Sequence, residues 1–185
     1  MRLLYSVAAL AVLLATSIAG PLTLDNCAGK KLLKNTYIGP NQDVLAEHYS
    51  CENTFTNNAI YSMRQPAKNV CGAACVTSCY TPSGGGPDPN DCQVITDALL
   101  FKGQNVSPFF TVGTASDTTT NFIRLRYSSC NSTIVNQDTS NIEYCYSDWA
   151  GVTGYVANNC QATQNAHGGI CVAANQEFFV QINHS

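Results

Sequence analysis

The stretch VCGAACVTSCYTPSGGGPDPNDCQ, which runs from Val70 to Gln93, holds four of the ten cysteines in this 185-residue chain. Three of them, Cys71, Cys75 and Cys79, recur at four-residue spacing, and a glycine and proline tract follows them. On a helix, this spacing would place all three thiols on one face. Such a face could ligate zinc or form disulfides, and the redox compartment decides between the two.

The N-terminal residues indicate export from the cell. MRLLYSVAALAVLLATSIAG begins with a positive charge at Arg2, continues through an apolar run from Leu3 to Leu14, and ends in small residues. This is the pattern of a secretory signal peptide, which we place at residues 1–19. We therefore expect a secreted, extracellular protein. Because no later apolar run reaches about 18 residues, we expect no membrane span.

Export favours disulfides over metal ligation for the cysteines. All ten follow the predicted signal peptide, and we expect them to form five bridges. They are Cys27, Cys51, Cys71, Cys75, Cys79, Cys92, Cys130, Cys145, Cys160 and Cys171. Six lie at or before Cys92 and four at or after Cys130, so each half could close on itself, although the sequence does not require it. We expect no metal site.

The glycine tract divides the chain into two parts. Residues 81–87, TPSGGGP, lack the Gly-Lys-Ser/Thr end of a phosphate loop and are typical of a linker. Before the linker we expect a cysteine-containing N-terminal arm over residues 20–80, with a short helix near residues 58–64. After it we expect a core domain over residues 88–185.

Within the core domain, short motifs predict two helices. Asp88, Pro89 and Asp91 are typical of an N-cap, a first helical residue and a first-turn acid, and this helix should end before Gly103. A second helix should begin at the capping box Ser140-Asn141-Ile142-Glu143. Its apolar stripe includes Trp149, which we expect in the core.

Alternating apolar residues predict the strands of the core domain. They are SPFFTVG at residues 107–113, NFIRLRY at 121–127, a short strand near 133–136, and EFFVQIN at 177–183. The main order is helix, strand, strand, helix, strand, and one more strand from the N-terminal arm would complete a split β-α-β arrangement. We therefore predict an α+β fold, a disulfide-stabilised two-layer α/β sandwich with split β-α-β order.

Charge and composition exclude several kinds of partner. Only 11% of residues are charged, and without Arg2 the chain carries eight basic and twelve acidic side chains. The one basic cluster, Lys30, Lys31 and Lys34, is too small for a nucleic-acid interface, so we expect no nucleic-acid partner. Asn105 and Asn131 lie in N-x-S/T sequences and predict N-glycosylation.

Catalytic motifs are weak in this sequence. His167-Gly168-Gly169 resembles the oxyanion loop of esterases, but no G-x-S-x-G elbow accompanies it, so a tight turn is the simpler interpretation. Glu143 and Asp148 lie about 140° apart around a helix and do not converge. We therefore expect no catalytic residues and no cofactor. A cell-wall hydrolase stays an alternative that would require two carboxylates meeting in a cleft.

A binding role is better supported than catalysis. Aromatic faces stack on sugar rings, while carboxylates and amides hydrogen-bond their hydroxyls. Tyr146 and Asp148 flank Trp149 but lie off the apolar stripe, so we select them, with His167, as possible ligand-binding residues. The expected partner is an extracellular glycan or protein.

Several segments carry a resemblance to known proteins. CENTF, DCQVITDAL, FFTVG, RLRYSSC, NIEYCYSDWAGVTGYVANNC and HGGIC together resemble small secreted cysteine-rich fungal proteins. The succession is similar to the extracellular necrosis-inducing effector family, to the killer-toxin fold and to secreted glycan-binding proteins of mushrooms. It covers the chain from Cys51 onward, whereas the Cys71-Cys75-Cys79 run and the GGG linker have no counterpart there.

The resemblance implies a fungal protein with a compact, disulfide-bonded α/β sandwich. It also implies action by binding outside the cell, without catalysis. We therefore predict a secreted, non-enzymatic recognition protein, effector-like or toxin-like, with a glycan-binding lectin as the alternative.

Overall fold

A computed structural model of the protein describes residues 29–51, 66–80, 86–114, 120–160 and 168–185. These ranges contain ten strands and two helices. The strands are β1 (Lys31–Ile38), β2 (Val44–Ser50), β3 (Lys68–Asn69), β4 (Cys75–Cys79), β5 (Phe109–Val112), β6 (Phe122–Tyr127), β7 (Cys130–Asn136), β8 (Ile142–Cys145), β9 (Gly169–Ala173) and β10 (Phe178–His184), and the helices are α1 (Pro89–Asn105) and α2 (Tyr146–Asn159). The predicted signal peptide, the predicted helix near residues 58–64, Cys27 and His167 lie outside the described residues.

Seven strands form one antiparallel sheet and three form a smaller one. The large sheet has the order β1-β2-β6-β7-β10-β9-β4, and each neighbouring pair is antiparallel. In the small sheet, β8 pairs in parallel with β3 and antiparallel with β5. Four strands, β1 to β4, precede residue 81, so the segment predicted as an arm supplies strands to both sheets.

The α+β class is confirmed, but the order of elements differs from the predicted one. After residue 88 the order is helix, four strands, helix, two strands. Strands β8 and β9 were not predicted, and they have only four and five residues. Segments this short carry little periodicity, and they become strands because neighbouring strands satisfy their backbone hydrogen bonds.

The two helices pack against each other and on one face of the large sheet. Leu99 of α1 and Trp149 of α2 share a buried core with Leu125 of β6 and Val180 of β10. Burying side chains of this size stabilises a fold by about 1.5–3 kcal/mol each. No helix among the described residues is long and apolar enough to cross a bilayer.

Helix α1 begins as the sequence predicts. Asp88 is the N-cap, its carboxylate accepts a hydrogen bond from the backbone N–H of Asn90 (2.8 Å), and Pro89 is the first helical residue. The helix was predicted to end before Gly103, but it continues through Gly103 to Asn105. A Cβ atom at Gly103 would lie 3.2 Å from the Cβ of Tyr146, so this glycine allows the two helices to approach closely.

The capping box predicted at Ser140 and Glu143 is wrong. This segment forms β8, and α2 begins at Tyr146 after Cys145, whose side chain makes no capping hydrogen bond. Glu143 instead accepts a hydrogen bond from Nδ2 of Asn69 (3.1 Å). Pairing with β3 and β5 satisfies the backbone of this segment, so tertiary contacts outweigh the local capping signal.

Cys71, Cys75 and Cys79 lie in a turn and a strand, so the helical arrangement that their spacing would allow does not form. Cys75 and Cys79 are the two ends of β4, and Cys71 lies in the turn before it. Four residues are two strand periods and also about one helical turn. Four-residue spacing therefore puts the side chains on one side in a helix and in a strand alike. The spacing alone cannot distinguish a helix from a strand.

The disulfide interpretation is confirmed for the described cysteines. Four bridges join Cys71 to Cys145, Cys75 to Cys171, Cys79 to Cys160 and Cys92 to Cys130. Cys51 is also disulfide-bonded. Each of the four bridges connects a cysteine at or before Cys92 with one at or after Cys130. These disulfides therefore link the two halves of the sequence covalently.

Candidate functional site

An open groove with a volume of about 550 Å³ lies between α2 and the β4 edge of the large sheet, and we call it the α2 groove. Its walls come from α2, from β4 and the turn before it, and from β8 and β9. The lining residues are Gly72, Ala73, Cys75, Thr77, Tyr144, Asp148, Gly151, Val152, Tyr155 and Cys171. The Cys75–Cys171 disulfide forms part of the wall and ties it together.

One face of α2 supplies four of these residues. Asp148, Gly151, Val152 and Tyr155 follow each other at the spacing i, i+3, i+4 and i+7, which aligns side chains along a helix. The side chain of Tyr155 is 56% exposed. At Gly151 a Cβ atom would meet no atom within 4 Å, so the groove is open there.

Asp148 holds the turn before β4 against α2. Its Oδ2 accepts a hydrogen bond from the backbone N–H of Gly72, and its Oδ1 lies 3.4 Å from the hydroxyl of Ser147. A carboxylate has about four acceptor positions, so Asp148 keeps capacity for a ligand hydroxyl. Its oxygen and the sulfur atoms of Cys71 and Cys145 lie within 4.8 Å of one another. Because those sulfur atoms form a disulfide, they are not thiolate ligands for a metal.

Tyr144 lies at the base of the groove and stays neutral. Burial raises the pKa of its hydroxyl well above the usual value, and the negative charge of Asp148 adds to the effect. Tyr144 is only 2% exposed, so it forms the closed base of the groove and offers little surface to a ligand.

The structure separates the residues that the sequence selects as ligand-binding. Asp148 lines the α2 groove, whereas Tyr146 lines a different cavity together with His48 and Trp149. His167 lies outside the described residues. Trp149 is 1% exposed, which confirms its predicted place in the core. The ligand-binding roles of the three selected residues stay predictions, and Tyr146 and Asp148 do not act at one site.

Sequence reasoning missed Tyr155 and the contribution of β4. Tyr155 stands seven residues after Asp148, so the helical spacing carried a signal that could have found it. Gly72 and Thr77 carry no such signal, because they reach the groove only through sheet pairing and through disulfides between cysteines 74 and 96 residues apart.

The carboxylates in the described part of the chain do not form a catalytic pair in these cavities. Among the described residues, Asp148 is the one acid that lines the α2 groove, and none lines the cavity that contains Tyr146. Other acids hold structural contacts: Glu47 pairs with Arg124, and Asp91 accepts hydrogen bonds from Ser129. A glycoside hydrolase needs two carboxyl groups that face one substrate, and the described residues of neither cavity supply them.

The two predicted glycosylation sites differ in accessibility. Asn105 is exposed at the end of α1, and its Nδ2 donates to the carbonyl oxygen of Phe101 (2.8 Å). Asn131 is 6% exposed in β7, and its Nδ2 donates to the carbonyl oxygen of His184 (3.1 Å). Glycosylation stays a prediction at both, and Asn105 is the more accessible acceptor.

Comparison with known proteins assigns the chain to no group. No protein-family model, curated protein or solved structure matches it. The functional interpretation therefore depends on the groove and the cavity themselves.

Proposed function

We propose that this protein is a secreted, non-enzymatic recognition protein that binds a glycan in the α2 groove. One observation carries this proposal: an exposed tyrosine ring and a carboxylate lie on the same face of α2, above an open groove. Sugar sites combine an aromatic face, which covers the apolar side of a pyranose, with acceptors for its hydroxyl groups. Tyr155 would provide the face and Asp148 the acceptor.

The shape of the α2 groove also supports a glycan. A groove of about 550 Å³ has the size of a small-molecule site, which for a saccharide corresponds to one or two rings. The walls are tied by the Cys71–Cys145 and Cys75–Cys171 disulfides. A rigid site loses little conformational entropy when it binds, which favours affinity.

Effector-like or toxin-like action is the broader role that we propose for this recognition. The four disulfides are compatible with an extracellular location. A protein target is the alternative to a glycan, and it would use the exposed surface of α2 around Tyr155. We do not favour a hydrolase, because no second carboxylate among the described residues lines the groove beside Asp148.

A glycan array with the secreted, oxidised protein tests this function. We expect selective binding to a subset of glycans, and we expect Tyr155→Ala to weaken it at least tenfold, which corresponds to about 1.4 kcal/mol. The matched control is Tyr37→Ala, because Tyr37 is similarly exposed (59%) but lies on β1 at the opposite edge of the large sheet.

The outcomes separate the alternatives. Binding that is lost in Tyr155→Ala and kept in Tyr37→Ala supports the α2 groove. If Tyr155→Ala binds glycans as strongly as the wild type, the protein is still a lectin, but its site is not the α2 groove. If the wild-type protein binds no glycan on the array, the glycan proposal is wrong and a protein target takes its place.

A further inference from the structure

A second cavity, of about 140 Å³, lies between α1, α2 and the β1–β2–β6 part of the large sheet, and we call it the basic cavity. Lys34 of β1, His48 of β2 and Lys102 of α1 form its basic side. Lys34 is exposed, whereas His48 and Lys102 are half-buried. The cavity therefore meets solvent beside Lys34 and continues inward past the imidazole.

Three aromatic rings form the inner wall of the basic cavity. The ring centroid of Phe110 lies 4.6 Å from that of Tyr146 and 5.3 Å from that of Trp149, and both ring pairs are tilted by about 33°. The indole N–H of Trp149 points away from the cavity, because it donates to the hydroxyl of Ser132 (2.9 Å). The indole ring is thus an apolar surface whose polar atom is already satisfied.

The basic groups of the cavity lack acidic partners among the described residues. Neither Lys34 nor Lys102 forms an ion pair there, and the lining of the cavity contains no carboxylate. Arg124 and Arg126 lie on the other face of the sheet, and Arg124 is already paired with Glu47. Positive charges gathered at one edge of an apolar cavity attract an anion, and a low-dielectric wall strengthens that attraction.

We propose that the basic cavity binds a small organic anion, with an aromatic or short aliphatic body against Phe110, Tyr146 and Trp149 and an anionic head beside Lys34, His48 and Lys102. The volume supports a ligand of this size, because an apolar cavity of about 150 Å³ holds a benzene-sized molecule. Benzoate combines such a ring with a carboxylate and is the simplest probe. This site is separate from the α2 groove and does not depend on the glycan proposal.

His48 links the binding of an anion to pH. Burial lowers the pKa of His48 below its usual value, and the positive charges of Lys34 and Lys102 lower it further. Lys34 on β1, Lys102 on α1 and the neutral Tyr146 on α2 are the titratable groups that face it. A bound anion favours the charged imidazolium, so binding should take up a proton and become tighter as the pH falls toward the pKa of His48.

Tryptophan fluorescence gives a direct test, because Trp149 is the one tryptophan of the chain and lines the cavity. The full oxidised protein is titrated with benzoate, with its neutral isostere benzamide and with inorganic phosphate. We expect a saturable change with benzoate, with a Kd below about 1 mM, and binding of benzamide at least tenfold weaker. Inorganic phosphate should not displace benzoate at equal concentration, because it lacks the apolar body.

A charge-removing variant and a matched control locate the site. We expect Lys34→Gln with Lys102→Gln to weaken benzoate binding at least tenfold, because two favourable charge interactions are lost. The control, Lys31→Gln with Arg126→Gln, makes the same change in net charge at exposed positions that do not line the cavity. Benzoate affinity should stay within about twofold in this control.

Several results would overturn the proposal. Equal affinity for benzamide would show that charge is not recognised, and tight binding of inorganic phosphate would show that the apolar wall is not used. Equal losses in the two double variants would indicate a general effect of net charge. No saturable change with benzoate up to about 10 mM in the wild-type protein would reject the site outright, whatever the variants do.

Discussion

Gly168 and Gly169 follow His167 in the chain, and the close approach of neighbouring backbone leaves no room for a side chain at either position. Gly168 has φ +66°, and a Cβ atom there would lie 2.0 Å from the carbonyl oxygen of Ile182. At Gly169 a Cβ atom would lie 2.7 Å from the carbonyl oxygen of Ser78. Both contacts are with backbone of neighbouring segments, so no side chain can move aside. Packing within the sheet therefore requires both glycines. An oxyanion role is not needed to explain why they are glycines.

Replacing Gly168 with alanine should therefore be strongly destabilising. We expect Gly168→Ala to lower the free energy of unfolding by about 3 kcal/mol, from strain at positive φ together with overpacking. Gly72→Ala is the matched control, because Gly72 also has positive φ (+74°) but no atom lies within 4 Å of its added Cβ. Denaturant unfolding of both variants measures the difference. Equal losses would mean that φ strain alone matters and that the steric contact is unimportant.

His48 should make the stability of the protein depend on pH. Its pKa is lowered in the folded state by burial and by Lys34 and Lys102, so between that pKa and the unfolded value near 6.5 the unfolded chain binds more protons. Stability should therefore fall as the pH is lowered from 7 to 5. His48→Gln should remove this part of the loss.

Denaturant unfolding at pH 7 and at pH 5 measures the effect of His48. The control is His184→Gln, because His184 is exposed near the C-terminus and does not line the basic cavity. An identical fall in stability for wild type and His48→Gln would contradict the prediction, since the loss would then come from other groups.

At the scale of single elements, α2 contains two glycines that lie in different surroundings. Gly151 faces the open groove, whereas Gly154 faces α1, where its added Cβ would lie 3.7 Å from Oγ1 of Thr96, an ordinary contact. Neither position therefore requires a glycine to make room for a neighbouring atom. Open space beside Gly151 is instead a feature of the groove.

Both glycines of α2 should accept alanine, with different effects on binding. We expect Gly151→Ala and Gly154→Ala each to raise the free energy of unfolding by about 0.5–1 kcal/mol, because alanine favours the helix. Glycan binding should weaken in Gly151→Ala, whose methyl group enters the α2 groove, and stay unchanged in Gly154→Ala. Thermal unfolding and the glycan array measure the two effects. If both variants bind equally well, the face of α2 at Gly151 is not part of the site.

Elements were predictable where local chemistry alone decides them. The Asp88-Pro89 start of α1 needs only contacts within one helical turn. Strand β6 could be predicted because apolar residues alternate with arginines along it. Strand β8 was not predictable, because its capping-box sequence fits a helix start equally well. Only the neighbours β3 and β5 make it a strand.

For the whole molecule, the disulfides connect distant parts of the chain. Their cysteines are separated by 38 to 96 residues, and three of the bridges join residues 71–79 to β8, β9 or the end of α2. Closing loops of this length restricts the unfolded chain and stabilises the fold by about 2–4 kcal/mol for each bridge. One of them, Cys75–Cys171, lines the wall of the α2 groove.

Reduction should consequently unfold the protein or lower its Tm by more than about 10 °C, since about 1 kcal/mol shifts the Tm of a domain of this size by about 2–4 °C. Circular dichroism during heating, with and without strong reductant, measures this, and thiol counting confirms that reduction is complete. An unchanged melting curve for the fully reduced protein would show that the bridges add little to stability. Alkylation of the native protein serves as the control for reagent effects.

By itself, the sequence determined what depends on neighbouring residues and on composition. This includes the α+β class, the start of α1, the burial of Trp149 and the pairing of the described cysteines as disulfides. Capping, alternation and apolar stripes act within a few residues, so they can be recognised without the fold.

Only the tertiary structure decided which cysteines pair and which side chains meet. Asp148 meets Gly72 across 76 residues, and His48 lies between Lys34 of β1 and Lys102 of α1. Such contacts depend on how the whole sheet closes, because many pairings cost similar loop entropy and only the packed core selects one. Both the α2 groove and the basic cavity are therefore products of the assembled fold.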